Sequence, residues 1–382
     1  MPLDDRTDAE TAAVYSPSWV DLLGLAAGDR VRLVGDDRVA EAAVRHRGGV
    51  LDDGAAGGLH DVVCLQDIAF DAAALRRHAA TLAPGGRLVL VVDNAASPLR
   101  LADRLAGRPG GRHAVVGLGR VRRRLRSAGL EVDQVFGLLR SSAAPVTAFD
   151  LAAPEAVRSV LGATLSHVGG TRGTLVSLLT RSPVGALAPL CPAWLVVARP
   201  RGSSVTPADD RIVGKISNRD SKEVKLVCGS PPRVLEKHYL TGSGTTEVEA
   251  LRELDRIGFT LAPRIVGEPA PSVCRMTWLP GRPLLPAALD ADEVVVWVDR
   301  ALAVLADLHA RSRQPDGSVL VHGDFWLGNL LVDDEQVVGV VDWTGVVHGP
   351  DHVDRDFLVE STVALRPDLP GLRARLATTA PA

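Results

Sequence analysis

Three oxygen-bearing side chains fall close together late in the chain. In "VHGDFWLGNLLV" (321–332), Asp324 follows His-Gly and precedes Asn329 by five residues, and the apolar run "VVGVVDW" ends on a second carboxylate, Asp342. These are hard oxygen donors of the kind Mg²⁺ takes, an ion that keeps several waters and needs only one or two protein ligands. Four residues between Asp324 and Asn329 let a loop turn both side chains toward one pocket. "LLVDDEQVVGVV" reads as a hairpin that carries the chain away and returns Asp342 beside Asn329. Phosphoryl transfer from ATP asks for such a set: a carboxylate beside the acceptor hydroxyl, oxygen ligands for Mg²⁺, a cation on the donor phosphates and a backbone lid.

The elements that must position these groups precede them. "ADEVVVWVDRALAVLADLHA" has helical spacing, with Val298, Leu302 and Leu305 on one stripe, and delivers the chain to the loop. Further upstream, strands dominate. "RIVGKISN" and "KEVKLVC" flank Asn218-Arg219-Asp220-Ser221 as a hairpin, "RVLEKHYL" is a third strand and "SVCRMTWL" a fourth. "TEVEALRELDRIG" is a helix with Val248, Leu251 and Leu254 on one face. Lys237 and Leu235 share a face of the third strand, because successive side chains in a strand alternate.

The order His-Gly-Asp-x4-Asn, an apolar strand and then Asp-Trp resembles the aminoglycoside phosphotransferase and choline kinase family, over about residues 210–358. The resemblance implies a protein-kinase-like fold and the following roles. Asp324 is the catalytic base, His322 braces the loop, and Asn329 and Asp342 hold Mg²⁺. Ser217 and Asn218 lie at the tip of the hairpin whose amides cover the triphosphate. Leu235 covers the adenine, and Lys237 meets the phosphates and pairs with Glu247, with Glu249 as the alternative. Thr277 (carbonyl) and Leu279 (amide) meet the adenine edge. The family continues from Asp-Trp into Gly-Asp-Pro, where this chain has "GPDHVDRDFL", with Asp354 at the expected spacing. It also adds several helices where only 24 residues follow Leu358. The acceptor pocket is therefore expected to be short, or completed by the first domain or by another chain.

The first half reads differently. "DRVRLVG", "DVVCLQD", "RLVLVVD" and "AWLVVAR" are near-continuous apolar strands, the pattern of a parallel sheet covered on both faces. "FDAAALRRHAATLAPGG" reads as a helix ending at Pro84-Gly85-Gly86. "GLGRVRRRLRSAGLEV" puts Leu118, Val121, Leu125 and Ala128 on one face, with the arginines of "RVRRRLR" around it. "LAPGGRLVLVVDN", "LRSAGLEV" and "PAWLVVARP" resemble class I S-adenosylmethionine-dependent methyltransferases over about residues 18–200. The turn after the first strand departs from that family. Gly35 is followed by Asp36, Asp37 and Arg38, and an acidic pair repels a cofactor carboxylate. S-adenosylmethionine binding is therefore not expected, and Asp36 is the one candidate contact.

Bulk properties set the frame. The chain has 382 residues, 46% hydrophobic, with a net charge of -3 from interspersed acids and bases, which argues against general nucleic-acid binding. Four cysteines stand far apart without a C-x-x-C pair, so neither a zinc site nor a disulfide framework is indicated. There is no signal-peptide pattern and no membrane-length apolar run. A cytoplasmic, two-domain protein is expected, its fold class α/β plus α+β. A degenerate Rossmann-like methyltransferase domain occupies 1–200 and the Pro/Gly/Ser-rich segment 201–210 is the linker. A two-lobed kinase-like domain with a truncated C-lobe occupies 211–382, its N-lobe 211–279 and its C-lobe 280–382. The expected activity is ATP- and Mg²⁺-dependent phosphorylation of a hydroxyl on a small molecule, with no nucleic-acid or membrane partner. The rivals are a non-catalytic nucleotide-binding module and a methyltransferase with a kinase-like appendage.

Overall fold

The computed structural model describes residues 18–35, 37–52, 57–66, 71–98, 117–139, 146–165, 184–203, 211–218, 223–239, 244–270 and 272–379. Two compact units emerge, Met1–Val157 with Ser182–Pro232, and Arg158–Arg181 with Arg233–Ala382.

In the first unit, β1 (Arg30–Val34), β2 (Val50–Leu51), β3 (His60–Gln66) and β4 (Leu82–Asp93) run parallel in the order β2-β1-β3-β4. The sheet continues from β4 through β7 (Ala193–Pro200), β5 (Leu130–Leu139), β6 (Thr147–Asp150), β8 (Ile212–Asn218) and β9 (Glu223–Cys228), each pairing antiparallel with its neighbour. The expected all-parallel sheet is thus mixed. Ala193–Ala198 of β7 is buried throughout, yet β7 is antiparallel to both β4 and β5. Burial on both faces sets the apolar run; it does not set strand direction.

The helices of this unit are α1 (Arg38–His46), α2 (Ala72–Ala79) and α3 (Leu118–Ser127), and α4 (Pro154–Leu165) begins in it. A single turn, α5 (Val184–Leu187), precedes β7. In α3, Val121 and Leu125 are buried, as the spacing requires. Helix α2 stops short of the expected Pro84-Gly85-Gly86, which lies inside β4 as an irregularity: His60 pairs with Leu82, but Val62 pairs with Arg87.

The hairpin expected to open the second domain instead extends the first unit's sheet, with Ile216 of β8 opposite Thr147 of β6. Lys215 explains the attachment. Its side chain is fully buried and its ammonium donates to Asp21 at 2.6 Å and to the Ser18 carbonyl. Burial pushes the Asp21 carboxyl up, but the charges of Lys215 and Arg47 outweigh it and hold the group ionised. The expected linker, 201–210, lies within this unit's bounds, and 204–210 fall outside the described residues.

In the second unit, β10 (Val234–Tyr239) pairs antiparallel with β11 (Val273–Thr277), setting Lys237 opposite Cys274 and Leu235 opposite Met276. Helix α6 (Thr245–Arg256) buries Val248, Leu251 and Leu254 on the expected face. The 22-residue helix α7 (Ala291–Ser312) starts at a capping box. Asp290 accepts from the Glu293 amide at 2.8 Å, and Glu293 accepts from the Asp290 amide at 2.8 Å. Its stripe of Val294, Trp297, Val298, Ala301, Leu305 and Leu308 is buried in one core with Phe325, Leu327 and Trp343. Ser312 fixes the far end: its hydroxyl donates to Leu308 O at 2.8 Å and accepts from Leu320 N at 3.0 Å.

Strand β12 (Arg282–Pro283) pairs with β14 (Leu330–Asp333), which pairs with β15 (Gln336–Val340). Strand β13 (Val319–Val321) pairs with β16 (Val347–Gly349), and α8 (His352–Leu365) and α9 (Leu372–Thr379) follow. Among the described residues, no helix is long and apolar enough to cross a membrane.

Candidate active site

The loop 322–329 is held from behind by a carboxylate. Asp354, in the first turn of α8, is fully buried and accepts from the backbone amides of His322 at 2.7 Å and Gly323 at 2.9 Å. Gly323 has φ +80°, and a Cβ there would strike the Gly345 carbonyl, so glycine is required. Phe325 and Leu327 point into the core, each burial stabilising by about 1.5–3 kcal/mol. Trp326 between them is buried as well, whereas Asp324 is half-buried.

His322 braces this loop as expected. It is fully buried and stacks obliquely on Trp343, ring centroids 4.5 Å apart. Its Nε2 donates to Val341 O at 3.1 Å, and its Nδ1 accepts from Asp324 N at 3.3 Å, which fixes the neutral tautomer. Burial pushes the imidazole below its ordinary 6.5, against the pull of Asp354 and the Val341 carbonyl.

The two bonds of His322 tie the Asp324 end of the loop to Val341, the residue before Asp342. Asn329 adds a second tie. Its Nδ2 donates to Asp324 Oδ2 at 3.1 Å and to Asp324 O at 2.9 Å, while its carbonyl accepts from Val341 N at 3.0 Å. Asp342 follows directly, at φ +72° and ψ +59°. A left-handed conformation is costly for a non-glycine residue and clusters at sites where orientation matters. Trp343 behind it is buried, its Nε1 donating to Val340 O at 2.9 Å.

Lys237 completes the group. Its side chain is 1% exposed, 2.8 Å from Glu247 Oε2 and 3.0 Å from Asp342 Oδ1. The expected lysine–glutamate pair is therefore formed by Glu247; Glu249, the alternative, is exposed. Tyr239, two residues after Lys237 and so on the same face of β10, donates its hydroxyl to Glu247 Oε2. The Lys237 ammonium lies 5.5 Å from the Tyr239 ring centroid. Gly244 caps α6 directly against this ring, where a Cβ would overlap it. Tyr239, Gly244 and the two amide bonds of Asp354 were not assigned from sequence; the period-2 relation of Tyr239 to Lys237 was the available clue.

Thr277 ends β11 opposite Val234, its Oγ1 accepting from Arg264 N at 2.9 Å and its amide donating to Arg264 O at 2.7 Å. Leu235 is half-buried and packs on the core that includes Met276. Leu279 is half-buried, against Gly339. Ser217 and Asn218 belong to the first unit. They are the last two residues of β8, opposite Val224 and Glu223, where the strand ends as read from sequence; the turn that follows, 219–222, lies outside the described residues. Ser217 is buried, and its amide donates to Val146 O at 2.8 Å. Asp36 lies outside the described residues.

Among the described residues, no three or more His, Cys, Asp or Glu side chains gather as a metal cluster. The Asn329–Asp342 pair fits a cation that needs few protein ligands. With Nδ2 turned to Asp324, the oxygen of Asn329 is the atom left for a metal, and Asp342 supplies a carboxylate whose side chain is 29% exposed.

Residues 310–355, from the end of α7 through Arg355, match the profile of the phosphotransferase enzyme family. No curated protein matches the chain. Among solved structures, an ADP-bound aminoglycoside phosphotransferase APH(2'')-Ib is 13% identical, covering 43% of this chain and 80% of that one at a TM-score of 0.31. A streptomycin–ATP ternary complex of APH(2'')-IIa is 14% identical, with 43% and 80% covered and a TM-score of 0.32. The macrolide 2'-phosphotransferase MphH from Brachybacterium faecium is 17% identical, with 41% and 77% covered and a TM-score of 0.29.

Proposed function

We propose that the second unit catalyses ATP- and Mg²⁺-dependent transfer of a phosphoryl group to an alcohol oxygen of a small molecule: a sugar, an aminoglycoside-like compound or an amino alcohol. The observation that carries this reading is the bonding of Asn329 to Asp324 while Lys237 bridges Glu247 and Asp342. The phosphotransferase family match over residues 310–355, which holds Asp324, Asn329 and Asp342, supports it.

Asp324 accepts the proton of the acceptor hydroxyl, and its carboxylate is oriented for this by Asn329 Nδ2 and by the loop anchored on Asp354. The acceptor oxygen forms a bond to the terminal phosphorus of ATP as the bond from that phosphorus to the bridging oxygen breaks, and ADP leaves. Lys237 meets the donor phosphates, held in place by Glu247. Asn329 and Asp342 are the oxygens that would hold Mg²⁺, which when bound neutralises charge on the donor phosphates. Leu235, the Thr277 carbonyl and the Leu279 amide are assigned to the adenine. Ser217 has no part in this reading, because its amide, the group expected to meet the phosphates, donates to Val146 O.

For the first unit we infer a scaffold without S-adenosylmethionine chemistry. In a doubly wound sheet the cofactor sits outside the carboxyl ends of the strands, at a helix N-terminus. Here the N-terminus of α1 is already capped by Asp37, which accepts from Ala40 N at 2.9 Å and from Trp19 Nε1 at 3.3 Å.

Titration with ATP and MgCl2 tests the proposal. The melting temperature of the chain should rise, and Asp324→Asn should retain the rise while losing turnover of any alcohol that the wild type phosphorylates. The absence of a melting shift would remove both catalysis and nucleotide binding.

A further inference from the structure

The "RVRRRLR" run has no role in the site above, yet it borders a cavity. In the first unit a cavity of about 440 Å³ opens where the C-terminal half of α3 meets the start of β5. Arg122 and Arg126 form one side of it; Glu131, Asp133, Gln134 and Asp150 contribute to the rest. That volume suits a small metabolite.

The two arginines stand four residues apart on one face of α3, and both are exposed. Neither guanidinium has an ion-pair partner among the described residues. The floor is the opposite case, because it is built and rigid. Asp150 is 2% exposed, accepting from Ala152 N at 2.9 Å and from Gln134 Nε2 at 3.0 Å. Gln134 Nε2 also donates to Ile212 O at 2.9 Å, which leaves its side-chain oxygen as an acceptor at the cavity. Asp133 is the extra residue of a bulge, since the β5–β7 register slips between Val132 and Gln134. Bulges of this kind re-aim side chains at sites. Arg199 at 3.0 Å and Arg211 at 3.3 Å neutralise the Asp133 carboxylate. Burial, in turn, pushes the Asp150 carboxyl up. The floor thus offers hydrogen-bond acceptors with little net negative charge, beneath two unpaired cations.

We propose that this cavity binds a small hydroxylated phosphate ester, its phosphate on Arg122 and Arg126 and its hydroxyls on Gln134 and Asp150. Guanidinium groups recognise phosphate bidentately, and buried acceptors select for hydroxyl donors. The C-terminal end of a helix disfavours an anion, so the guanidiniums must carry the attraction. The proposal does not rest on phosphoryl transfer in the second unit.

The test is calorimetric titration of the full chain with glucose 6-phosphate, glucose and inorganic phosphate. Glucose 6-phosphate should bind at least about tenfold more tightly than either half, because both sets of contacts are needed. Arg122→Ala combined with Arg126→Ala should weaken it by a further factor of at least about ten, and both positions are exposed enough for the fold to survive. The double substitution should leave the melting shift with ATP and MgCl2 unchanged, which separates the cavity from the second unit's site. The proposal is overturned if glucose 6-phosphate fails to bind, if inorganic phosphate binds equally well, or if the double substitution changes nothing.

Discussion

Asp354 offers the sharpest perturbation of the loop. Its carboxylate is fully buried and satisfies two backbone amides, those of His322 and Gly323. Replacement by alanine removes both acceptors, one from the buried His322 amide and one from the partly buried Gly323 amide. The buried His322 donor left unsatisfied costs about 1–3 kcal/mol and the partly buried Gly323 bond about 0.5–1.5, so Asp354→Ala should destabilise the loop by about 2–4 kcal/mol. Asp354→Asn keeps one oxygen acceptor and should fall between wild type and alanine. Global unfolding of a chain with two units need not be all-or-none, so a local readout is sounder. Hydrogen exchange in a peptide spanning 319–330 supplies it. Since 2 kcal/mol corresponds to a factor of about 30 in a two-state ratio, the His322 and Gly323 amides should exchange at least about 30-fold faster in Asp354→Ala. The variant should also lose turnover even though Asp354 contacts no reacting atom. Unchanged exchange at these two amides would refute the idea that this carboxylate holds the loop.

Three other outcomes follow from the same geometry. Lys237→Met leaves the Glu247 carboxylate, 3% exposed, without its cation; breaking such a buried pair should cost about 3–5 kcal/mol in denaturant unfolding, and adding Glu247→Gln should restore part of the loss. His322 is held neutral by burial, below its ordinary 6.5, so the unfolded chain binds the proton first. Its contribution to stability is therefore complete above about pH 6.5 and declines as the pH falls from there toward the lowered folded-state value; the urea midpoint of wild type should drop across that window and the drop should be smaller in His322→Gln. All four cysteines are buried, with burial pushing Cys191 up to about 12 and Cys274 up to about 11. A thiol-reactive dye should label them slowly in the folded protein and all four rapidly in denaturant; fast labelling of the native chain would contradict the burial.

The parts legible in the sequence were those fixed by local chemistry. The spacing of Asp324, Asn329 and Asp342 implied a loop and a returning hairpin, and Asn329 is bonded to Asp324 and to Val341, the residue before Asp342. Helical periodicity identified the buried faces of α6 and α7. What escaped depended on partners distant in sequence. "GKISN" reads as one arm of a hairpin, but nothing local says that Lys215 finds Asp21, 194 residues away, and so joins that hairpin to the first unit's sheet. Strand direction escaped for a similar reason, since β7 is apolar whichever way it runs. Tyr239 looked like one more strand residue until α6 brought Glu247 to its hydroxyl.

Phosphoryl transfer at this site requires Asn329 and Asp342 to face one metal–nucleotide complex beside Asp324. Electron paramagnetic resonance of Mn²⁺ measures this directly, by titrating the ion into the protein with ATP present. Wild type and Asp324→Asn should both hold Mn²⁺ in a nucleotide-dependent way, while Asn329→Ala and Asp342→Asn should each weaken it by about tenfold or more. Equal Mn²⁺ binding by all four proteins, or binding indifferent to ATP, would contradict the account.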